Sequence, residues 1–264
     1  ESRNEPMGYE GAEGGNTPTQ NLVDAYEMKD GTPFDWNNPT HVANMYYDAS
    51  NKETRDPRLY KNVLTNGSIW QKQKVETFEG GKNKILDGST KTGYYLRKYM
   101  NPSVSLDPDK PNKLYHHYVL FRYAEILLNY AEAMNEWKGP DATAEGCPLT
   151  ARAALNQVRD CADMKHVTEN GADFTAKVRN ERRIELAFEG HRFYDIRRWR
   201  IAGLDEVRNL YGVKITKSGT SLSYEKVLLQ QMYWNDKMYL FPYPQNEIYM
   251  NPDLGQNPGW SNGN

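Results

Sequence analysis

The hydrophobic positions of this chain become periodic only in its second half. From Tyr118 onward, apolar residues recur at three- and four-residue spacing, at Leu120, Tyr123, Ala124, Leu127, Ala131 and Met134. This spacing puts them on one face of a helix, so we predict an amphipathic helix that ends near Trp137. Three further helices are predicted over residues 148–164, 171–190 and 191–200, which suggests antiparallel helix pairs of the tetratricopeptide type.

Residues 1–117 show no sustained period. Gly, Pro, Asn and Asp interrupt this part every few residues, which indicates loops with short strands at residues 68–71, 73–78 and 92–98. So much irregular chain usually carries function, and we expect the ligand to bind here. After Gly203 the pattern returns to strands and loops, with strands predicted at residues 212–216, 222–229 and 238–241. The pattern as a whole predicts a mostly α fold with a large loop-rich region and a few short strands.

The most charged stretch, residues 181–199, reads ERRIELAFEGHRFYDIRRW. Its carboxylates Glu181, Glu185 and Glu189 are four residues apart and therefore share one side of a helix. Gly190 is predicted to end this helix in a left-handed conformation. The next helix begins almost at once, so two helices should meet at a corner where carboxylates face guanidinium groups.

Two interpretations of this stretch compete. In the first, forked arginine–carboxylate pairs fix the packing of adjacent helices. In the second, Glu185 or Glu189 acts with Asp195 as the carboxylate pair of a glycoside hydrolase. Alternating arginines would keep the carboxylates ionised, whereas a general acid needs its pKa raised by burial, so the architectural interpretation is favoured.

Composition narrows the function further. The formal net charge is −2 and basic residues form no run, which argues against a nucleic-acid or membrane-surface partner. The chain contains no apolar stretch of the roughly 20 residues that a membrane-spanning helix needs. P-loop, dinucleotide, metalloprotease and serine-hydrolase motifs are missing, and the two cysteines lack metal-site spacing. We therefore predict no catalytic residue, no metal site and no cofactor.

Aromatic residues supply the candidate binding site. They make up 12% of the chain, with 19 tyrosines, and several lie among polar residues of the loop-rich part. An aromatic face can stack on the C–H groups of a sugar ring while polar neighbours satisfy the hydroxyl groups, which are costly to bury unpaired. The alternative is that these rings anchor the loops to the core. We predict glycan contacts at Trp36, Trp70, Tyr46 and Tyr47.

Residues 181–199 also resemble a signature of the SusD/RagB family, the surface glycan-binding lipoproteins of Bacteroidetes-type bacteria. Six more segments match in the family's order: PTQNLVDAYEMKDG (18–31), RDPRLY (55–60), TGYYLRKY (92–99), LFRYAEILLNYAEAMNE (120–136), ALNQVR (154–159) and FPYPQNEIYMNPDLGQNPGW (241–260). Each segment alone would be weak evidence. Seven in one order across nearly the whole chain give a strong resemblance.

The resemblance implies a SusD-like fold in which residues 1–117 form a loop-rich ligand-binding region and residues 118–264 a helical region with an irregular tail. It also implies that a helical N-terminal half with a lipidated cysteine precedes the present chain. The implied function is non-catalytic capture of an oligosaccharide or polysaccharide at the outer-membrane surface and its delivery to a SusC-like TonB-dependent transporter. The RagB branch of the family makes peptide capture an open alternative, and the glycoside hydrolase is a weaker one.

Overall fold

The structure is a computed structural model that describes residues 4–6, 8, 12–86, 88–105, 107, 109–115, 117–251 and 253–261. Helices dominate the second half of these residues. Over all described residues the helices are, in chain order, α1 (Gln20–Ala25), α2 (Pro39–Ala43), α3 (Pro57–Asn62), α4 (Tyr123–Lys138), α5 (Ala151–Cys161), α6 (Gly171–Glu185), α7 (His191–Arg198), α8 (Asp205–Arg208) and α9 (Gln245–Met250). None of the helices in the described part is both long and apolar enough to cross a membrane.

The strands of the described residues form three antiparallel pairs. Two pairs are only two residues long, β1 (Val63–Leu64) with β4 (Tyr95–Leu96) and β2 (Ile69–Trp70) with β3 (Gln73–Lys74). The third is a long hairpin of β5 (Asn209–Ser218) and β6 (Ser221–Gln231). Strand β5 also bonds to the loop-rich part, because the Val213 N–H donates to the carbonyl of Thr92 at 2.9 Å.

Local sequence explains where the short helices begin. Asn38 and Asp56 accept backbone N–H groups of the first turn at the start of α2 and α3, and each is followed by a proline at the first helical position. Both features favour a helix start, because the side chain satisfies a free N–H and proline lacks one. Thr150 caps α5 in the same way by accepting the Ala153 N–H at 3.0 Å.

Two hydrophobic clusters hold most of these elements together. In the first, α4, α5 and α6 pack through Leu128, Leu155 and Phe174, all fully buried. The second combines Val23, Tyr26, Met45, Tyr46, Leu59, Tyr60, Val63 and Tyr94 from the loop-rich part with Ile184 of α6 and Val213 and Ile215 of β5. The loop-rich part is therefore not a separate layer, since it shares its core with a helix and the long hairpin.

The mostly α fold with helix pairs and few strands is confirmed. The predicted strand at residues 238–241 is wrong, because Asp236–Tyr239 form a 3-10 helix. The helix predicted for residues 171–190 ends earlier, at Glu185, and a short turn follows. Gly190 does adopt the left-handed conformation, at φ 84°, and lies directly before α7.

Gly93 is expected to be intolerant of a side chain. Its φ is +86° and an added Cβ would lie 2.6 Å from the carbonyl oxygen of Val213. Gly80 has the same conformation, at φ +87°, with nothing within 4 Å, and is the matched control. We expect Gly80→Ala to cost about 1–2 kcal/mol of unfolding free energy from the backbone alone. Gly93→Ala should cost roughly 1–3 kcal/mol more from the clash, measured by urea unfolding. Equal costs for the two variants would contradict this packing.

Candidate functional site

A buried network of charged side chains lies where α6 meets the loop-rich part. Glu181 of α6 accepts hydrogen bonds from Arg58 at 2.5 Å and from Arg159 at 2.7 Å. Arg159 also pairs with Glu27 at 2.8 Å, and Arg58 reaches Glu185 at 2.8 Å. This network joins α6 to α5, to the start of α3 and to the segment after α1. The carboxylates of α6 therefore fix the position of the loops, as the architectural interpretation predicted.

The second part of the network lies at the end of α6. Arg122 donates to Glu185 at 2.5 Å and to Glu189 at 2.8 Å, and Lys98 donates to Glu189 at 2.6 Å. Burial alone would raise the pKa of Glu185, but hydrogen bonds from Arg58 and Arg122 outweigh it and lower that pKa. The pKa of Glu189 is lowered in the same way, because Arg122 and Lys98 outweigh its burial. Both carboxylates are therefore ionised wherever the fold is intact at neutral pH.

This arrangement excludes the glycoside hydrolase that uses Glu185 or Glu189 with Asp195. A general acid needs a raised pKa, whereas the pKa values of both glutamates are lowered. Asp195 is buried and bonded to Arg182 and Arg198, each at 2.8 Å. Such carboxylates have no free face in an open cleft.

These shifts predict how stability depends on pH. A carboxylate whose folded pKa lies below its unfolded value stabilises the fold above the unfolded value, and the contribution is lost as pH falls through the folded pKa. For Glu185 and Glu189 the unfolded value is about 4.3. We expect the melting temperature to be steady above about pH 5 and to fall below about pH 4. The Glu189→Gln variant should be less stable at pH 7 and should lose less on acidification. If the melting temperature of the wild type and of Glu189→Gln fell equally with pH, the lowered pKa assigned to Glu189 would be contradicted.

Two of the four predicted binding aromatics are in the core. Trp70 is only 1% exposed, packs among Leu64, Val75 and Tyr95, and donates its indole N–H to Glu5 at 2.6 Å. Tyr46 is also 1% exposed. The prediction that these two rings contact a glycan is corrected, because neither presents a face to a ligand. A region with little regular structure still needs a core, and large rings supply it.

Tyr46 shows how these rings anchor the loops. Its hydroxyl group is 2.6 Å from that of Tyr94, which in turn donates to Gln20 at 2.5 Å. Its ring makes edge contacts with Tyr94 and Tyr224. The third predicted aromatic, Tyr47, is half-buried against Tyr60, with ring centroids 5.4 Å apart. Tyr47 keeps some accessible surface, so it stays a candidate glycan contact, ranked below Trp36.

Trp36 is the remaining candidate and lies on the loop between α1 and α2. Its indole N–H donates to Asp24 at 3.0 Å, and the ring remains half-buried. Asp24 also accepts hydrogen bonds from Gln20 at 2.6 Å and from Lys226 at 2.7 Å. The carboxylate is thus held by groups from α1 and β6 and fixes the indole plane before any ligand arrives.

Neighbouring aromatic rings pack beside Trp36. Phe34 meets Trp36 edge-on, with centroids 5.6 Å apart, and stacks on His41 at 5.9 Å. The guanidinium of Arg55 lies over Phe34 at 4.1 Å, and this buried arginine donates to the carbonyls of Val23, Tyr26 and Met45. We call the rings of Phe34, Trp36 and His41 the Trp36 shelf. Sequence reasoning missed Phe34 and His41, although the spacing of two aromatics within FDW was a signal for a paired platform.

A cleft lies beside the residue that holds Trp36. It has a volume of about 470 Å³ and is lined by Asp24, Ala25, Glu27, Pro33, Glu169, Asp173, Ala176, Lys177 and Asn180. Glu27 is buried in ion pairs with Arg159 and Lys177. The more accessible Glu169, Asp173 and Asn180 are the groups that can bond to the hydroxyl groups of a ligand. Among the described residues, no three of His, Cys, Asp and Glu are grouped to hold a metal ion. An aromatic ring next to a cleft with a few polar groups suits the binding of a sugar.

Comparison with known proteins identifies the family. The model of the SusD family matches residues 2–260. A solved SusD-like protein from Bacteroides fragilis aligns with a TM-score of 0.73 and 31% identity over 98% of this chain and 51% of that one. A SusD-like carbohydrate-binding protein from the same species gives a TM-score of 0.66 and 29% identity, covering 93% and 49%.

A curated relative, SusD-like protein P25 of Formosa agariphila, is 28% identical over 180 residues, which are 62% of this chain and 28% of that protein. The chain spans about half the length of the two solved structures and less of the curated relative. The resemblance read from seven sequence segments is confirmed, and so is the SusD-like fold. The chain belongs to the SusD family.

Proposed function

We propose that the protein binds an oligosaccharide or polysaccharide at the cell surface without catalysis and delivers it to a SusC-like TonB-dependent transporter. The observation that carries the proposal is the Trp36 shelf, whose half-buried indole is fixed by Asp24 beside the cleft. Family membership supports it, as does the carbohydrate-binding protein among the structural relatives. The surface location, a lipid anchor and the transporter partner belong to this proposal.

Binding at such a site depends on the sum of several non-covalent contacts and includes no chemical step. A sugar ring stacks on the indole, and its hydroxyl groups exchange water for the carboxylate and amide groups of the cleft. Because Trp36 is held in place before the ligand arrives, little side-chain entropy is lost on binding. Several weak contacts along one glycan chain then give useful affinity. No general acid, nucleophile or metal takes part, so we propose no enzymatic activity, catalytic residue or cofactor.

Isothermal titration of the protein against plant, host and microbial oligosaccharides tests the proposal. We expect saturable binding to one glycan class and no release of reducing ends after prolonged incubation. Absence of binding to every glycan in the panel would overturn glycan capture, and hydrolysis of the bound glycan would overturn the non-catalytic account. Co-purification of the protein with a TonB-dependent transporter from outer membranes tests the delivery step.

Peptide capture is the second candidate, and one observation favours it. Strand β6 pairs with β5 along one edge, and within the described residues its backbone bonds to no other segment along the other. An exposed strand edge can add an extended peptide as a further strand. The same titration with peptide mixtures separates the two functions. Heat with peptides and none with sugars would favour the β6 edge over the Trp36 shelf.

A further inference from the structure

A second pocket, on the adjoining face of α6, is basic. It has a volume of about 600 Å³ and is lined by Glu136, Ala172, Thr175, Ala176, Arg179, Asn180, Arg183, Arg192, Trp199 and Ile201. Three of these residues are arginines, two from α6 and one from α7. We call this the arginine pocket. It shares Ala176 and Asn180 with the cleft beside Asp24, so the two sites are neighbours along α6.

Unlike Arg182 and Arg198, the three arginines have no carboxylate partner among the described residues. Arg182 and Arg198 form ion pairs with Asp195, whereas Arg179, Arg183 and Arg192 form none within the described part of the chain. Among the described residues, Arg183 donates to the backbone carbonyl of Asn21 alone, at 2.7 Å. Glu136 is the single acidic residue in the lining of the pocket and makes no ion pair with the described arginines.

Arg179 points most directly to a missing partner. Its guanidinium lies over the ring of Trp199 at 5.1 Å, and its buried Nε has no hydrogen-bond acceptor in the described structure. Trp199 is fixed in turn, because its indole N–H donates to Glu132 at 2.6 Å. No N–H group of Arg179 donates to a described residue, and an anion in the pocket would supply acceptors for the outer N–H groups of its guanidinium.

The positive charges of the pocket repel one another. Burial lowers the pKa of Arg183 to about 10, with a further contribution from the neighbouring positive charge of Arg192. Burial also lowers the pKa of Arg192. An anion bound between Arg183 and Arg192 would offset the repulsion between their positive charges. Guanidinium groups match carboxylate, sulfate and phosphate oxygens through paired hydrogen bonds.

We propose that the arginine pocket binds one anionic group, a carboxylate, sulfate or phosphate, through Arg179, Arg183 and Arg192. The group can be free in solution or carried by an acidic glycan. The second source rests on the proposed glycan-binding function, since a chain seated on the cleft beside Trp36 would place an acidic substituent at the pocket next to it.

Titration with sodium sulfate against sodium chloride of equal ionic strength tests the pocket itself. We expect sulfate to bind with a saturable isotherm. Because sulfate also stabilises folded proteins without binding, the rise in melting temperature should be larger for the wild type than for the two arginine variants below. Arg179→Gln and Arg192→Gln should each weaken sulfate binding about tenfold or more, because each removes a charge-assisted contact. Arg192 makes no hydrogen bond among the described residues, so its replacement removes charge without removing a structural contact. Arg208→Gln, at an exposed pair with Asp205, is the control and should leave sulfate binding unchanged.

A second arm identifies the source of the anion. Sulfated or uronate-containing oligosaccharides are compared with their desulfated or carboxyl-reduced forms. Tighter binding of the acidic forms, lost in Arg192→Gln, would support a glycan-borne anion, and binding of inorganic sulfate alone would assign the pocket to a free anion. Absence of sulfate binding, or sulfate binding that both variants retain, would overturn the proposal. Neutral-glycan binding at Trp36 does not use these arginines, so its outcome is separate.

Discussion

Replacing Glu181 with alanine is expected to lower the free energy of unfolding by about 2–4 kcal/mol, because Arg58 and Arg159 lose the buried carboxylate that they share and keep only other partners, such as Glu185 and Glu27. Glu181 is 1% exposed and holds both Arg58 and Arg159. A loss of this size could remove most of the stability of an ordinary domain. Urea unfolding followed by circular dichroism measures it, and a low-temperature spectrum shows whether the variant still folds.

The matched control is Asp141→Ala. Its side chain is 61% exposed and pairs with Arg152 at 2.6 Å on the surface. Surface pairs contribute about 0–1 kcal/mol, so this variant should unfold close to the wild-type urea concentration. Similar small losses for both variants would show that the network around Glu181 does not hold the loops in place.

The second large effect is on binding. Trp36→Ala is expected to weaken glycan affinity by about 2 kcal/mol or more, roughly 30-fold in Kd, as for other central aromatic anchors. Trp36→Phe keeps a ring but loses the bond to Asp24, so its affinity should lie between those of the wild type and the alanine variant. Isothermal titration with the best glycan of the panel gives the three affinities.

Trp137→Ala controls for the loss of any accessible tryptophan. Trp137 is 61% exposed on α4 and is not among the residues that line the cleft beside Asp24. Its replacement should leave the affinity within about twofold of wild type, since surface positions outside a binding site contribute little. Equal loss in Trp36→Ala and Trp137→Ala, or none in either, would remove the Trp36 shelf from the binding account.

The helical part of the fold could be predicted because its signal is local. Apolar spacing marks α4 through Leu127, Ala131 and Met134, and all three are buried as expected. The alternation of carboxylates and arginines in residues 181–199 correctly indicated ion pairing. Sequence could not tell that Arg122 would supply part of that pairing, because its partner Glu185 lies 63 residues further along the chain.

The site was harder to predict, for a physical reason. A tryptophan in a loop with polar neighbours looks the same whether it faces solvent or fills the core. Trp70 lies in a two-residue strand and is enclosed by residues that include Leu64 and Tyr95, while Trp36 keeps an accessible surface. Burial of these rings depends on contacts between distant segments. The pairing of Trp36 with Asp24 and of Asp24 with Lys226 shows the same dependence over 202 residues.

The most direct test of the glycan-capture account is a crystal structure of the protein with the glycan selected by titration. The account predicts a sugar ring stacked on the indole of Trp36, with carbon atoms within about 4.5 Å of it, and hydroxyl groups bonded in the cleft lined by Asp24 and Asn180. A glycan bound on another surface, with Trp36 uncovered, would contradict the account.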